Sequence, residues 1–473
     1  MKKVLSFIIP LLAFFLLLNV PAAWFHMPGL TVVEQRLIAI FFLAAFCWIL
    51  EPIPIFATSI LVIVLELLFI SNRGLIFLRG AAGDPVFGNA LTYQSIMATF
   101  ASPIIMLFMG GFFLAMAATK YRLDVNLARV LLKPFGSRPN FVMLGLLLIT
   151  AVFSMFMSNT ATAAMMLAIL APVLSALPEG DRGRTAFVLA IPVGANIGGI
   201  ATPIGTPPNA IALKYILDIQ PISFGEWMLF GVPYVIVLLF IAWVLMAWLF
   251  PSREKSVTLS IKDEFMRGWR ANLVYATFGV TVLLWMFGRL HGMTSEVVAM
   301  IPVAVFVCTG IITRKDMKDI SWDVLWLVAG GLALGLALEK TGLAARMVDS
   351  IPFASFSPIM VLVVASLVTL LMANFMSHTA TANLLLPIMA ILAGGLSGLE
   401  SMGGQLGLIL GVTFASSLGM TLPISTPPNA LASSTGMVET PDMAKVGVVI
   451  GIVGTLLTMI MLWIIAGTGL LRP

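Results

Sequence analysis

The chain has 473 residues, of which 60% are hydrophobic and only 10% charged, with a formal net charge of +5. A soluble domain carries about a quarter charged residues, so a soluble two-domain protein is excluded and most of the chain belongs in lipid. Basic loops at a membrane face explain the positive balance better than a nucleic-acid partner does.

Taken in chain order, hydropathy and helix breakers predict eleven spanning segments near 4–20, 33–50, 53–70, 97–119, 185–216, 228–250, 273–290, 295–313, 321–339, 404–437 and 444–468. A helix needs ~20 apolar residues to cross a bilayer. The first segment follows Lys2 and Lys3 and has no small-residue cleavage site before Val20-Pro21, so it reads as a retained helix rather than a signal peptide. Two further stretches, 138–177 and 357–397, are apolar at both ends and polar in the middle, the pattern of a re-entrant hairpin. The shorter charged segments 120–135 and 340–350 suit amphipathic helices along the interface. Cys47 and Cys308 fall in apolar segments and read as packing residues rather than as a disulfide. The expected fold class is an all-α polytopic membrane protein.

Basic residues cluster at 251–270 (Arg253, Lys255, Lys262, Arg267, Arg270) and at 314–318 (Arg314, Lys315, Lys318), and such clusters favour the cytoplasmic side. With the N-terminus inside, six spans return the chain to that side at the first cluster and eight at the second. The C-terminus, whose tail carries only Arg472, is then outside. A bacterial-type inner membrane is the expected location.

The chain also repeats itself. Ser158-Asn159-Thr160-Ala161-Thr162 returns as Ser377-His378-Thr379-Ala380-Thr381, displaced by 219 residues. Thr206-Pro207-Pro208-Asn209-Ala210 returns as Thr426-Pro427-Pro428-Asn429-Ala430, displaced by 220. Gly110-Gly111, Lys120 and Leu123 return at 330–331, 340 and 343. Five spans separate equivalent points, and an odd number reverses orientation, so the repeats are read as inverted. The domains expected are an N-terminal helix and loop (1–32), a first repeat (33–250), a cytoplasmic linker (251–272) and a second repeat (273–473).

Two prolines inside an apolar segment remove two donors and force the preceding residues out of helical geometry, so each Thr-Pro-Pro-Asn predicts a broken helix. Open backbone at membrane depth is tolerated where it lines a cavity, which points to a site. A Ser-Asn-Thr tip can cap the half-helix that follows and present free N–H groups and a positive dipole end to an anion. Loosened carbonyls with Ser and Thr oxygens can hold Na⁺, a hard cation. No arginine or lysine falls in either tip, so a bound dianion would depend on dipoles, hydroxyls and co-bound cations, which is a chemical reason for coupling. Glu66 interrupts an apolar segment and is a functional candidate by its placement. Glu51, beside Pro52 and near Pro54, reads as shaping a helix end, and His26 and His291 as interfacial. The chain shows no Cys/His metal cluster, Walker loop or spaced Ser/His/Asp set, so neither an enzyme nor an ATP-driven pump is expected.

These paired motifs resemble those of the divalent anion/sodium symporter family, carriers of dicarboxylates, citrate or sulfate, over nearly the whole chain. The resemblance implies eleven spans, two opposed re-entrant hairpins, a homodimeric scaffold and elevator-like motion. It also implies that Asn159, Thr160 and Thr379 hold substrate carboxylates, with Thr206, Pro207, Thr426 and Pro427 lining the facing breaks. One sodium site would use Ser154, Ser158, Asn159 and Gly205, and the second Ser377, position 378 and Ser425. The sequence departs from that pattern at His378, where the motif has Asn, and at Ala373, where the first repeat has Ser154. An imidazolium there could replace a mobile cation. The function expected is sodium-coupled carriage of C4 dicarboxylates such as succinate, malate or fumarate, with sodium-independent dicarboxylate exchange and Na⁺/H⁺ antiport as alternatives. No cofactor is expected beyond the coupling ions.

Overall fold

A computed structural model describes residues 2–80, 84–178, 180–257, 265–350 and 357–468; Lys262 and Arg472 of the expected linker and tail lie outside them. Caps and breakers set the helix ends. Thr31 opens the second helix with a capping box, accepting from Glu34 N while its own N–H donates to the Glu34 carboxylate at 2.7 Å. Glu51, before Pro52, closes that helix at φ 44°, so it does shape a helix end.

The N-terminal part runs α1 (Lys2–Asn19), α2 (Val32–Leu50), α3 (Ile55–Phe69), α4 (Tyr93–Ala98), α5 (Pro103–Lys120) and α6 (Leu123–Leu132). A helical hairpin follows, α7 (Pro139–Ser154) and α8 (Asn159–Ala176), then α9 (Arg182–Gly198), α10 (Pro207–Ile219) and α11 (Phe224–Leu249). After the linker come α12 (Trp269–Met286), α13 (Gly288–His291), α14 (Ser295–Cys308), α15 (Trp322–Thr341) and α16 (Leu343–Ser350). The second hairpin, α17 (Pro358–Phe375) and α18 (His378–Gly395), leads into α19 (Gly404–Ser417), α20 (Pro427–Ser434) and α21 (Thr440–Thr468). Among the described residues the protein is all-helical. Eight of its helices, counting α4–α5 as one and α9 with its last turn as one, are long and apolar enough to cross a membrane.

The two halves exchange equivalent contacts. Each hairpin packs on the helix that follows it, α7 and α8 on α9, α17 and α18 on α19, and each short half-helix crosses over: α10 packs on α18 and α19, α20 on α8 and α9. The outer helices cross over too. Gly110 of α5 lies against Ala299 of α14, and its repeat counterpart Gly330 of α15 lies against Ser59 of α3. A side chain at either glycine would meet the partner helix itself, so the first glycine of each repeated Gly-Gly sets the close approach of its pair. Cys47 is buried as a packing residue should be, whereas Cys308, at the last turn of α14, is exposed. The apolar run containing Cys308 continues onto an outward face, which sequence alone does not distinguish from a packed one.

Candidate functional site

Each hairpin tip is a helix start. The Ser158 hydroxyl accepts from Ala161 N at 3.2 Å at the head of α8, and the Ser377 hydroxyl accepts from Ala380 N at 3.1 Å at the head of α18. Asn159 and Thr160, and in the other half His378 and Thr379, form the first helical positions, where backbone N–H groups lack intrahelical partners and the dipole is positive.

Both Thr-Pro-Pro segments restart a helix after an irregular stretch, 202–206 before α10 and 418–426 before α20. Proline suits that first helical position because the N–H it lacks would be unpaired there anyway. The asparagine of each motif then gathers the loosened backbone. Asn209 Nδ2 donates to the carbonyls of Thr202 at 2.8 Å and of Gly199 and Ile200 at 3.2 Å. Asn429 Nδ2 donates to Met420 O at 2.9 Å and Leu422 O at 3.0 Å. These carbonyls are therefore partly spoken for by the protein itself, which narrows the set available to an ion.

The two tips and two breaks converge on one cavity of about 350 Å³. Ser158, Asn159, Thr160, Gly205, Thr206 and Pro207 line it from the first half, and Ser377, His378, Thr379, Ser425, Thr426 and Pro427 from the second. Ser154 stands just behind, its Oγ 2.6 Å from Asn159 Oδ1 and 2.7 Å from Ala195 O. Every residue that the resemblance assigned to the substrate or to sodium thus lies at or just behind this one cavity, whereas Glu66, the other candidate, does not line it. None of the described residues lining the cavity is arginine or lysine, and the one carboxylate among them, Asp323, is exposed in the first turn of α15.

The halves differ in the oxygen atoms they could offer a cation. In the first, oxygen atoms crowd together: the single Ser154 hydroxyl hydrogen faces two acceptor oxygens, and a Cβ on Gly199 would stand 2.8 Å from both Asn159 Oδ1 and Gly205 O. More acceptors than donors is the arrangement a hard cation satisfies. In the second half the equivalent of Ser154 is Ala373, and His378 Nε2 lies 2.6 Å from the carbonyl of Gly419, the repeat counterpart of Gly199. A carbonyl only accepts, so Nε2 is the donor. Ser425 Oγ is also committed, donating to Leu422 O at 2.5 Å.

Several lining residues were not anticipated. Asn196 of α9 reaches the cavity, donating to Thr426 Oγ1 at 3.2 Å and Asn429 Oδ1 at 3.1 Å, while its own Oδ1 has no hydrogen-bond partner among the described residues. It joins the two halves at their breaks. A signal was available, since Asn196 pairs with polar Ser416 at the repeat offset of 220. Ile55, Phe56, Phe108, Phe112, Val324 and Leu327 build an apolar wall, with Asp323 beside it.

Apolar helices of membrane-spanning length, folded around a cavity made of helix starts and broken helices, define a polytopic membrane transporter. The comparisons with known proteins agree. The chain belongs to the citrate transporter family CitMHS, whose profile matches residues 45–406. It is 30% identical over 438 residues to the sodium-dependent dicarboxylate transporter SdcS of Staphylococcus saprophyticus, covering 85% of this chain and 80% of that protein. A protein of the same name from Staphylococcus aureus is 29% identical over 480 residues, covering 93% of this chain and 88% of its own length. An uncharacterized transporter of Haemophilus influenzae is 32% identical over 474 residues, covering 96% and 95%. In fold the chain is similar to the Alcanivorax borkumensis YdaH transporter, with TM-score 0.52 and 14% identity, covering 80% of this chain and 89% of that one. It is likewise similar to Neisseria gonorrhoeae MtrF, with TM-score 0.53 and 12% identity, covering 86% and 94%. The protein is an integral, multi-pass membrane transporter of the citrate and dicarboxylate carriers, not an enzyme.

Proposed function

We propose that the chain is a secondary active carrier of small divalent anions, C4 dicarboxylates such as succinate, malate or fumarate, coupled to sodium. The observation that carries this reading is the cavity itself, with two capped helix starts and two broken helices around it and, among the described residues, no lysine or arginine in its lining. The substrate carboxylates sit on the N–H groups and hydroxyls at Asn159, Thr160 and Thr379, with Thr206, Pro207, Thr426 and Pro427 around them. One sodium is held by Ser154, Ser158, Asn159 and Gly205. A dianion in a poorly solvated cavity is costly without a nearby positive charge, so its occupancy follows that of the ion. The names of the Staphylococcus relatives support both the substrate class and the ion.

A second reading, sodium-independent dicarboxylate exchange, is favoured by the His378 contact with Gly419. There an N–H donor occupies a carbonyl that a second sodium would need, and Ser377, His378 and Ser425 then form a protein-filled site rather than an ion site. In either reading we place the N-terminus in the cytoplasm of a bacterial-type cell, take the hairpins as re-entrant within inverted repeats, and regard the carrier as a homodimer whose hairpin-bearing part moves like an elevator.

The test is uptake of labelled succinate into proteoliposomes holding the purified protein, driven by an inward sodium gradient, by an equal potassium gradient, or by internal succinate. Sodium-driven accumulation supports the leading reading, and uptake that needs internal dicarboxylate and ignores sodium supports the second. No succinate movement under any of the three conditions contradicts both.

A further inference from the structure

Glu66 of α3 is fully buried, and neither of its carboxylate oxygens has a hydrogen-bond partner among the described residues. Such a group is expensive to keep ionised, because no donor replaces the water it lost. The cation within electrostatic reach of it is Lys214 of α10. That lysine does not form an ion pair with Glu66; its Nζ donates to Leu332 O of α15 at 3.1 Å. It lies against Gly335, where a Cβ would come within 2.7 Å of Nζ and would also meet the Tyr215 hydroxyl. Lys214, Tyr215, Asp218 and Glu339 border a second cavity of about 440 Å³, separate from the tips and breaks, in which Asp218 and Glu339 are exposed to water.

We propose that Glu66 is a proton-binding site, linked through Lys214 to α10 and so to the anion cavity. The step is the addition of one proton to one carboxylate oxygen, giving the neutral acid, with no other bond made or broken. The proton comes from water by way of the second cavity. Lys214 is seven residues, or two helical turns, beyond Pro207, and so lies on the same face of the helix whose first turn lines the anion cavity. An ionised Glu66 holds the ammonium toward α3, and a neutral one leaves it to Leu332 O and to the acids at the mouth.

The other titratable groups on the helices around Glu66 are accounted for. From α10 come Lys214, Tyr215 and Asp218, and from α15 Asp323, exposed in its first turn beside the anion cavity, and Glu339 with its ion-paired neighbour Lys340. From α2 come Cys47, a buried free thiol, Glu34, paired with Arg346 at 3.0 Å, and Arg36, which donates to Phe69 O at 2.9 Å and Leu78 O at 2.6 Å. The short α4 brings Tyr93. Glu34 and Arg36 are engaged elsewhere, so Lys214 is the group that answers to the charge of Glu66.

The transport half of this proposal rests on the function proposed above, and the proton half does not. Infrared difference spectroscopy of the purified wild type against Glu66→Gln should show a protonated carboxyl band near neutral pH that belongs to Glu66. In the wild type, a lipid-soluble carbodiimide, which reacts with protonated buried carboxyls, should modify Glu66 less as pH rises, read by peptide mass spectrometry without any variant. In proteoliposomes, the pH profile of labelled succinate uptake should shift in Glu66→Gln and in Lys214→Met. An ionised Glu66 from mildly acid to alkaline pH, with no carbodiimide labelling, overturns the proton site. A protonated Glu66 whose titration is unmoved by Lys214→Met overturns the link to α10. If succinate is not carried at all, the infrared and labelling results still decide the proton site, while the function proposed above fails by itself.

Discussion

His378 Nε2 donates to the carbonyl of Gly419 at 2.6 Å, at the position where, in the other half of the molecule, Asn159 Oδ1 stands beside Gly199. One substitution between matched tips therefore replaces an acceptor beside the glycine of a broken helix with a donor to that glycine's carbonyl. His378→Asn should restore the acceptor and release Gly419 O. The expected outcome is transport that depends more steeply on sodium, by about one additional ion, with weaker succinate binding in low sodium because that ion is then needed beside the dianion. Uptake measured against sodium concentration in proteoliposomes reads both effects.

Ser154→Ala removes the hydroxyl that lies between Asn159 Oδ1 and Ala195 O. Losing one oxygen ligand of a hard cation, together with the group that orients Asn159, should weaken apparent sodium affinity by about tenfold, equivalent to about 1.4 kcal/mol. Succinate affinity should fall with it at limiting sodium and recover at saturating sodium, since the coupling between two sites is reciprocal. Equilibrium binding of labelled succinate at several sodium concentrations checks this.

Outside the membrane-spanning helices, the Asp316 carboxyl is lowered to about 2 by the Lys120 ammonium at 2.7 Å and by hydrogen bonds from Thr313. A depressed carboxyl contributes stability that is present above its unfolded value of about 3.9 and is lost as pH falls through the folded one. The pair is partly exposed, so its contribution is about 0.5 kcal/mol after solvent screening. Asp316→Asn should lower the unfolding temperature near pH 7 and leave it unchanged near pH 2, measured in detergent at constant ionic strength.

The parts of this site that were legible in the sequence are those that break a helix. Pro207 and Pro427 cannot continue the preceding helices, and Ser158 and Ser377 interrupt apolar runs as caps do, so breaks and tips announce themselves by residue type. Their recurrence at one offset then tied them together. The apolar wall did not announce itself, because Phe108 and Phe112 on α5 look the same whether they face a cavity or lipid. Asn209 and Asn429 were visible in the motif, but their task of collecting broken-helix carbonyls depends on a backbone path that sequence does not give. The same limit applied to Cys308, whose neighbours in the chain are apolar and whose face is exposed.

The account stands on the claim that the cavity between the tips is the dicarboxylate site, and equilibrium binding of labelled succinate to the purified protein tests it most directly. Thr160 and Thr379 each bring one hydroxyl to that cavity from opposite halves. Removing one hydroxyl from a polar site costs about 1–2 kcal/mol, so Thr160→Ala and Thr379→Ala should each weaken succinate binding by about 5- to 30-fold while the unfolding temperature without ligand stays at the wild-type value. Wild-type succinate affinity in both variants, with the proteins folded, would place the site elsewhere and contradict the account.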